Sequence, residues 1–315
     1  MLKYTLKRLL SGLVTIFMIA TFTFAAMHLA PGDPISGNKA MNAEIRANIM
    51  RRYGLDQPIL KQYGIYLMNM LRGDFGISFT QQNRMVNDII RDHFPVSAML
   101  GLLALLFATF SGVLFGSLTA LTRGKYRDRT IMFIVIFLVA VPSFVFAAFS
   151  QYGVTELNKF MGHEIIPVGG WGTFKHMILP AMVLGLSTMA FLTRLMRSSL
   201  LEVINQDYIR TARAKGVPAV QMFFKHQLRN AILPVITFLG PTVAAITTGG
   251  FVVETVFAIP GLGRYFVQAV QQLDYTVIMG ITVFYGAFLV LMVVIVDIIY
   301  GMVDPRISVA NSGRA

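Results

Sequence analysis

The sequence predicts an all-α polytopic membrane protein with six transmembrane helices. Three observations support this fold class: an apolar composition, six long apolar runs, and an uneven distribution of basic residues. Of the 315 residues, 55% are hydrophobic and 13% are charged, whereas soluble domains carry about 25% charged residues. This composition excludes a single soluble domain and a disordered chain. The absence of cysteine excludes disulfides, thiolate metal sites and cysteine nucleophiles.

The six apolar runs are long enough to cross a bilayer, which takes about 20 residues. The first run exceeds the apolar core of a secretion signal, about 7–15 residues, so we expect it to be retained as a helix. Prolines lie inside several runs, and neighbouring helices of a bundle can satisfy the carbonyls that prolines free. The runs are Leu9–Ala30, Pro95–Thr122, Thr130–Gln151, Met177–Thr193, Asn230–Val253 and Thr276–Val296.

Basic residues give the orientation. Alternate connecting segments, taken as the inner ones, hold 16 of the 27 Lys and Arg residues, whereas the two short outer loops hold three. By the positive-inside rule both termini are cytoplasmic, so the net charge of +12 needs no nucleic-acid partner. The predicted segments are the cytoplasmic N-terminus 1–8, transmembrane helix 9–30, an extracytoplasmic helical segment 31–95, a five-helix core 96–300 with a cytoplasmic loop 197–229, and a cytoplasmic tail 301–315.

The outer segment 31–95 predicts two short helices. It opens with a turn at Pro31–Pro34; Asn42 can cap a first helix, and Pro58 starts a second that ends near Gly73. Two interpretations stay open: a structural cap over the spans, or a surface that receives a partner or substrate. The second helix has one apolar face, formed by Ile59, Leu60, Tyr63, Tyr66, Leu67, Met70 and Leu71.

Residues 197–229, called the inner loop below, predict a helix–Gly–helix projection. An apolar helical face runs from Leu200 to Ala212, and Gly216 ends this helix because glycine reaches the left-handed conformation at little cost. Pro218 then allows a second helix that leads to the fifth apolar run. The inner loop is either a rigid projection into the cytosol or a basic helix on anionic headgroups.

Catalytic and metal-binding motifs are missing from the sequence. The only Gly-Lys pair, Gly124 and Lys125, is followed by Tyr126 and not by the Ser or Thr of a phosphate-binding loop. Neither H-E-x-x-H nor G-x-S-x-G occurs, and the five histidines show no ligand spacing. We therefore predict no catalytic residue, no cofactor and no metal bound by this chain.

Two acidic residues lie in or beside the apolar runs. A carboxylate in hydrocarbon costs about 2.5–3.5 kcal/mol, so each should face protein or water. Glu254 is either a gate or partner contact, or a structural group bonded to the turn at Pro260–Gly263. For Asp297 we expect a pair with a basic residue such as Arg194. Gly249–Gly250, just before Glu254, marks either a close helix contact or a break in the span.

The stretch from Asp207 to Gly216, followed by Leu228 to Pro234, resembles the conserved cytoplasmic loop of ABC-importer permeases. The match is to the oligopeptide/dipeptide (peptide/nickel) branch, first permease subunit. Where the general pattern has Glu-Ala-Ala, this chain has Arg210-Thr211-Ala212, so no role of that Glu is transferred. Further agreeing stretches are Leu29–Pro34, Gly73–Gly76, Phe94–Ser97, and Glu254–Phe257 with Pro260–Gly263. The loop residues that carry the match are Asp207, Tyr208, Arg210, Thr211, Ala212, Arg213, Ala214, Lys215 and Gly216.

The resemblance implies a type I ABC-importer permease fold in the cytoplasmic membrane. It implies four kinds of partner: a second homologous permease, two ATP-binding subunits, an extracytoplasmic peptide-binding protein and the lipid bilayer. ATP and Mg would be bound by the ATPases, so this chain would not itself be an enzyme. The inner loop would contact one ATPase and transmit its closure to the spans as a near-rigid-body motion.

The substrate and the transport class leave alternatives. Oligopeptides are the main prediction, with dipeptides or nickel and other metal chelates as the alternative within the same family. A self-contained secondary transporter predicts inverted repeats and several coupling residues inside the spans, and the sequence shows no clear repeat and two candidate acids. A membrane-embedded enzyme is disfavoured by the missing catalytic motifs.

Overall fold

The computed structural model confirms the predicted all-α fold. It describes residues 2–29, 50, 54, 56–81 and 83–303, with side chains described between residues 6 and 296 except residue 7. Within these residues the β-structure is a single bridge between Ile77 and Met85. The helices there are α1 (Leu2–Leu29), α2 (Ile59–Leu71), α3 (Val86–Leu121), α4 (Tyr126–Ala140), α5 (Ser143–Met161), α6 (Phe174–Ile204), α7 (Asp207–Ala214), α8 (Ala219–Ala231), α9 (Leu233–Thr247), α10 (Phe251–Val256), α11 (Leu262–Gln271) and α12 (Tyr275–Val303).

Several sequence predictions lie outside the described residues. They are the turn at Pro31–Pro34, the helix that Asn42 would cap, and most of the tail 301–315. The side chain of Asp297 also lies outside, and with it the predicted pair to Arg194.

The described helices account for the six predicted spans. Four of them, α1, α3, α6 and α12, contain a stretch long and apolar enough to cross a membrane. Two further spans are bent pairs: α4 with α5 at 110°, and α8 with α9 at 48°. If each pair counts as one span, the chain crosses the bilayer six times.

The third predicted span, Thr130–Gln151, is not one continuous helix. Helix α4 ends at Ala140, and Val141 is extended with φ −91° and ψ 128°. The cause is Pro142, because a proline disfavours helical geometry in the residue before it. The 15 residues of α4 span about 22 Å, which is less than the hydrocarbon core of about 30 Å.

The fifth predicted span, Asn230–Val253, is wrong at its far end. Helix α9 stops at Thr247, and Gly249 has φ +93°, a left-handed conformation that favours glycine. Gly250 is extended, and the short helix α10 starts after it. Of the two interpretations of Gly249–Gly250, the structure therefore shows the break.

The chain divides into two compact units: Met1–Val96 with Pro260–Ala315, and Ser97–Ile259. In the first unit, α1 packs along α12. Gly12 lies against Val290 and Gly286 lies against Ile19, so the two backbones approach closely, as small residues allow between membrane helices. A second apolar core in this unit is formed by Val86, Ile89, Ile90, Leu262, Ala269, Val277, Ile278 and Ile281.

Helix α2 confirms the second predicted helix of the outer segment. The hydroxyl groups of Tyr63 and Thr21 share a hydrogen bond of 2.6 Å, and Tyr66 stacks on Phe24 of α1 with ring centroids 5.7 Å apart. Burial raises the pKa of the Tyr66 hydroxyl above its ordinary value. Leu60, on another side of α2, is 85% exposed. The predicted apolar face therefore divides into tyrosines that pack on α1 and the exposed Leu60 and Leu71.

In the second unit, a buried ion pair joins the start of α4 to α6. The guanidinium of Arg197 donates two hydrogen bonds of 3.0 Å to the carboxylate of Asp128. The backbone N–H of Gly124 donates a third, at 2.9 Å. The Asp128 side chain is 7% exposed. The loop 122–125 and α6 are thereby held in one arrangement.

We predict that Arg197→Ala destabilises the protein, because it leaves the Asp128 carboxylate buried without a cation. The expected loss is on the order of 2–3 kcal/mol in the free energy of unfolding. This is below the about 3–5 kcal/mol of fully buried pairs, since 26% of the Arg197 side chain is exposed. Denaturant unfolding in detergent micelles measures it. The control is Lys159→Ala, which breaks an exposed pair with Glu156 and should cost less than about 1 kcal/mol; equal losses would contradict the prediction.

Candidate functional site

The inner loop contains two helices after the end of α6. The predicted single helix from Leu200 to Gly216 is wrong, because the chain leaves helical geometry at Gln206, which has φ −71° and ψ 149°. Asp207 then lies in the first turn of α7, where a negative charge complements the partial positive charge of a helix N-terminus. The apolar face is therefore divided between the last turn of α6 and α7.

The predicted turn between the two helices is confirmed. Gly216 has φ +77°, and its N–H donates to the Arg213 carbonyl at 3.0 Å. The Val217 N–H donates to the Ala212 carbonyl at 3.3 Å, so the last carbonyls of α7 are satisfied locally. Pro218, with φ −58°, precedes the first residue of α8, as its fixed backbone angle favours.

Most of α8 has π-helical geometry, which the sequence did not predict. The π segment is Met222–Leu228, seven residues long. Each N–H in a π-helix bonds to the carbonyl five residues earlier, and such segments are rare and often lie at functional sites. Met222 and Gln227 are buried, whereas Phe224 and Lys225 are exposed.

Helix α8 is fastened to α6, and α7 packs on α8. The hydroxyl of Ser199 on α6 donates a hydrogen bond of 2.8 Å to the carbonyl of Ala231 at the end of α8. Around this bond, Met196, Leu200 and Ala231 are fully buried in one apolar cluster. Helix α7 packs on the π segment, and its Ile209 is fully buried. Contacts therefore run from α7 through α8 to α6 and to the start of α9.

The predicted loop residues lie on α7 and in the turn that follows it, and most of them are exposed. Ala212 is half-buried, and the others are exposed. The ion pair between Arg210 and Asp207 joins side chains that are 73% and 95% exposed, so it adds little stability. The surface is net positive and open to a partner. Its exposed members are Asp207, Tyr208, Arg210, Thr211, Arg213, Ala214, Lys215 and Gly216.

Glu254 lies on α10 and is fully buried. A side chain at Gly249 would meet the Glu254 carboxylate and Ser97, so the acid occupies the space that the glycine leaves open. The Glu254 backbone carbonyl accepts a hydrogen bond of 2.8 Å from the Ile259 N–H. The carboxylate is thus enclosed by protein.

The connection after α10 is tied to the loop between α5 and α6. The side-chain amide of Gln151 donates to the carbonyls of Val168 and Val256, each at 3.1 Å. The Gly170 N–H donates to the Phe257 carbonyl at 2.7 Å. Irregular backbone at membrane depth needs such internal partners, and these bonds hold this end of the second unit together.

In the first unit, Asp274 is the most densely bonded carboxylate of the described residues. It is 1% exposed and accepts hydrogen bonds from Ser78 Oγ at 2.5 Å and Thr80 Oγ1 at 2.8 Å. The backbone N–H groups of Phe79, Thr80 and Val277 donate to it at 3.2, 3.1 and 3.3 Å. Asp274 thereby fastens the outer segment to the beginning of α12.

Comparison with known families identifies the architecture. Residues 112–309 match the family described as the binding-protein-dependent transport system inner membrane component. Residues 1–101 match the description of the N-terminal part of such membrane components. The chain belongs to this permease family. The match confirms the resemblance that the inner-loop residues indicated.

Alignments with related permeases extend over almost the whole chain. It is 41% identical over 315 residues to the dipeptide transport system permease protein DppB of Bacillus subtilis, covering 99% of this chain and 100% of the relative. It is 43% identical over 309 residues to the oligopeptide transport system permease protein OppB of Haemophilus influenzae, covering 98% and 99%. The corresponding protein of Salmonella typhimurium is 40% identical over 311 residues, covering 98% and 99%.

Two supports of the permease were missed by sequence reasoning, Asp274 and the Asp128–Arg197 pair. Asp274 lies next to a predicted span, and its position just before an apolar run was the available signal, because an Asp there can cap a helix. Its partners in the outer segment, such as Ser78 and Phe79, are about 195 residues away in the chain, and no local pattern indicates them. For Asp128, whose partner is 69 residues away, the sequence carries no such signal.

We predict that Asp274→Ala loosens the outer segment of the permease, because several buried donors lose their acceptor. The expected loss is on the order of 3 kcal/mol, since hydrogen bonds to charged groups contribute about 1.5–3 kcal/mol each and the stranded donors relax in part. Unfolding midpoints and proteolysis of residues 74–85 measure it. Asp92→Ala removes an exposed carboxylate paired with Arg84 and is the control. Unchanged protease resistance in Asp274→Ala would refute the role assigned to Asp274.

Proposed function

We propose that this permease is a transmembrane subunit of an ATP-driven importer of oligopeptides. It forms the translocation pathway with a second, similar permease, and two ATP-binding subunits drive it from the cytoplasmic side. An extracytoplasmic binding protein delivers the peptide, and both termini of this chain are cytoplasmic. The observation that carries the proposal is an exposed inner loop fastened to α6, in a chain whose full-length relatives are named as peptide permeases.

Coupling follows from how the inner loop is held. An ATPase that contacts α7 moves when its two copies close on ATP. Ile209 and the π segment carry the displacement from α7 to α8, and Ser199 carries it to α6. A loop without these buried contacts would absorb the motion. The spans then alternate between inward-open and outward-open arrangements as near-rigid bodies.

Hydrolysis of ATP is assigned to the partner subunits, which also hold the Mg. This chain contributes surface and mechanical linkage, and it binds no cofactor. For Glu254 we propose a structural role at the break between α9 and α10, because full burial beside Gly249 and Ser97 leaves it no access to a substrate in this conformation.

A dipeptide is the second candidate substrate. Relatives named for dipeptide and for oligopeptide transport are 41% and 43% identical to this chain, so the degree of identity does not separate the two. The partner binding protein, assayed with peptides of two to eight residues, tests the assignment: selective binding of dipeptides would replace oligopeptides as the substrate.

We predict that Gly216→Pro abolishes peptide uptake while the protein still inserts and folds. Proline cannot adopt the positive φ of Gly216 and removes the N–H that bonds to Arg213, so the connection between α7 and α8 is distorted. Ala212→Asp should act similarly by charging a half-buried position of α7. Uptake of labelled peptide into vesicles that hold the whole transporter should fall more than about tenfold, a change worth about 1.4 kcal/mol.

The control for this prediction is Gly162→Pro. Gly162 also has a positive φ, of 72°, also donates its N–H to a carbonyl three residues earlier, and also has no neighbour in the space a side chain would take. It lies in the loop between α5 and α6, outside the proposed ATPase contact. Uptake retained in both Gly216→Pro and Ala212→Asp would count against coupling through the inner loop.

A further inference from the structure

A groove opens between α7 and α8 on the side of the inner loop next to the fifth span. Its volume is about 790 Å³, within the usual range of about 300–1,000 Å³ for small-molecule sites. We call it the basic groove, and its lining residues are Tyr208, Phe224, Lys225, His226, Arg229 and Asn230.

The lining has the chemistry of an anion site. Lys225 and Arg229 supply two cations, and no carboxylate lines the groove. In the part of the chain that the structure describes, neither cation forms an ion pair. The Asn230 amide donates to the Tyr208 hydroxyl oxygen at 2.8 Å, which orients the Tyr208 O–H proton as a further donor. Arg and Lys are the residues that bind phosphate oxygens most strongly.

Apolar side chains accompany these cations. Phe224 is 60% exposed and lines the groove, and Val220, one turn earlier on α8, is 71% exposed. Exposed apolar residues beside cations on one helix are typical of segments that lie in the headgroup region of a bilayer. A purely aqueous phosphate site or a carboxylate-binding site has no need of them.

The position of the basic groove also favours a lipid. Asn230 and Arg229 are the last residues but one and but two of α8, which bends by 48° into the apolar helix α9. Arg229 and Lys225 therefore lie four and eight residues before Leu233, the first residue of α9. Basic pockets at the cytoplasmic ends of transmembrane helices bind anionic headgroups.

We propose that the basic groove binds the phosphodiester of an anionic phospholipid, with Lys225 and Arg229 on the phosphate and Phe224 against the glycerol and acyl region. The site shares Tyr208 with the exposed surface of α7 that we assign to the ATPase, and its other lining residues lie on α8. The inference rests on the proposed orientation, which puts α8 at the cytoplasmic face. A bound lipid would brace α7 against α8 and so stiffen the inner loop.

The test measures phospholipid retained by the full chain alone, purified from vesicles of phosphatidylcholine with and without phosphatidylglycerol and analysed by native mass spectrometry. We expect the unaltered chain to retain phosphatidylglycerol selectively. Lys225→Gln combined with Arg229→Gln should lower that retention about 30-fold, as the loss of two cations near the membrane surface predicts. The control is Arg123→Gln combined with Arg127→Gln, which removes two exposed cations from another inner loop; because these side chains do not line the basic groove, retention should fall much less than in the groove variant.

Three outcomes would overturn the proposal. The first is equal retention by the groove variant and the unaltered chain. The second is displacement of the lipid by millimolar inorganic phosphate or glycerol phosphate, which would assign the basic groove to a soluble phosphate. The third is that the groove variant retains lipid as before but no longer holds the ATPases in the assembled transporter. That result would assign the basic groove to an acidic surface of a partner. Because lipid retention is measured on the chain without partners, its failure is distinguishable from a failure of peptide uptake.

Discussion

A single buried seam joins the inner loop to the membrane domain. Ser199 of α6 bonds to the Ala231 carbonyl at the end of α8, inside a cluster that includes Met196 and Val235. A buried hydrogen bond of this kind contributes about 1 kcal/mol in net terms, but its larger effect is geometric, since it fixes α8 against a helix 31 residues long. In the proposed mechanism, this seam is the contact through which a force applied to α7 reaches α6.

The remainder of the fold obeys the same requirement, that polar groups at breaks in helices find partners inside the protein. Gln151 and Gly170 satisfy carbonyls around the end of α10, and Asp274 collects the donors of the outer segment. Asp128 does the same for the N–H of Gly124 while it holds Arg197. Polar anchors therefore hold the loop 122–125, the end of α10 and the start of α12.

Local signals in the sequence were sufficient for part of this architecture. The six spans, α2 and the turn at Gly216–Pro218 depend on hydropathy, spacing and backbone preference within a few residues. The helix break at Gln206 was missed because the apolar periodicity continues across it. The break at Pro142 was missed because prolines inside a span are often tolerated, and only the extended Val141 shows that this one is not.

The polar anchors and the basic groove were beyond the reach of the sequence for a different reason. Asp274 and Ser78 are 196 residues apart, and Asp128 and Arg197 are 69 apart, so their proximity exists only in the folded chain. Lys225 and Arg229 are four residues apart, so helical spacing alone places them on one face of α8. Their meeting with Tyr208 of the preceding helix depends on how α7 packs on α8, which the sequence does not show.

The central claim is that α7 contacts an ATP-binding subunit, and cross-linking from a unique cysteine tests it most directly. The chain has no native cysteine, so Arg213→Cys gives a single attachment point for a photoactivatable cross-linker in the assembled transporter. The account predicts a covalent adduct with an ATP-binding subunit whose yield changes when ATP is added, and none from Lys159→Cys on the loop side of α5. Adducts from Arg213→Cys that contain only lipid or this chain itself, with the ATPases present, would contradict it.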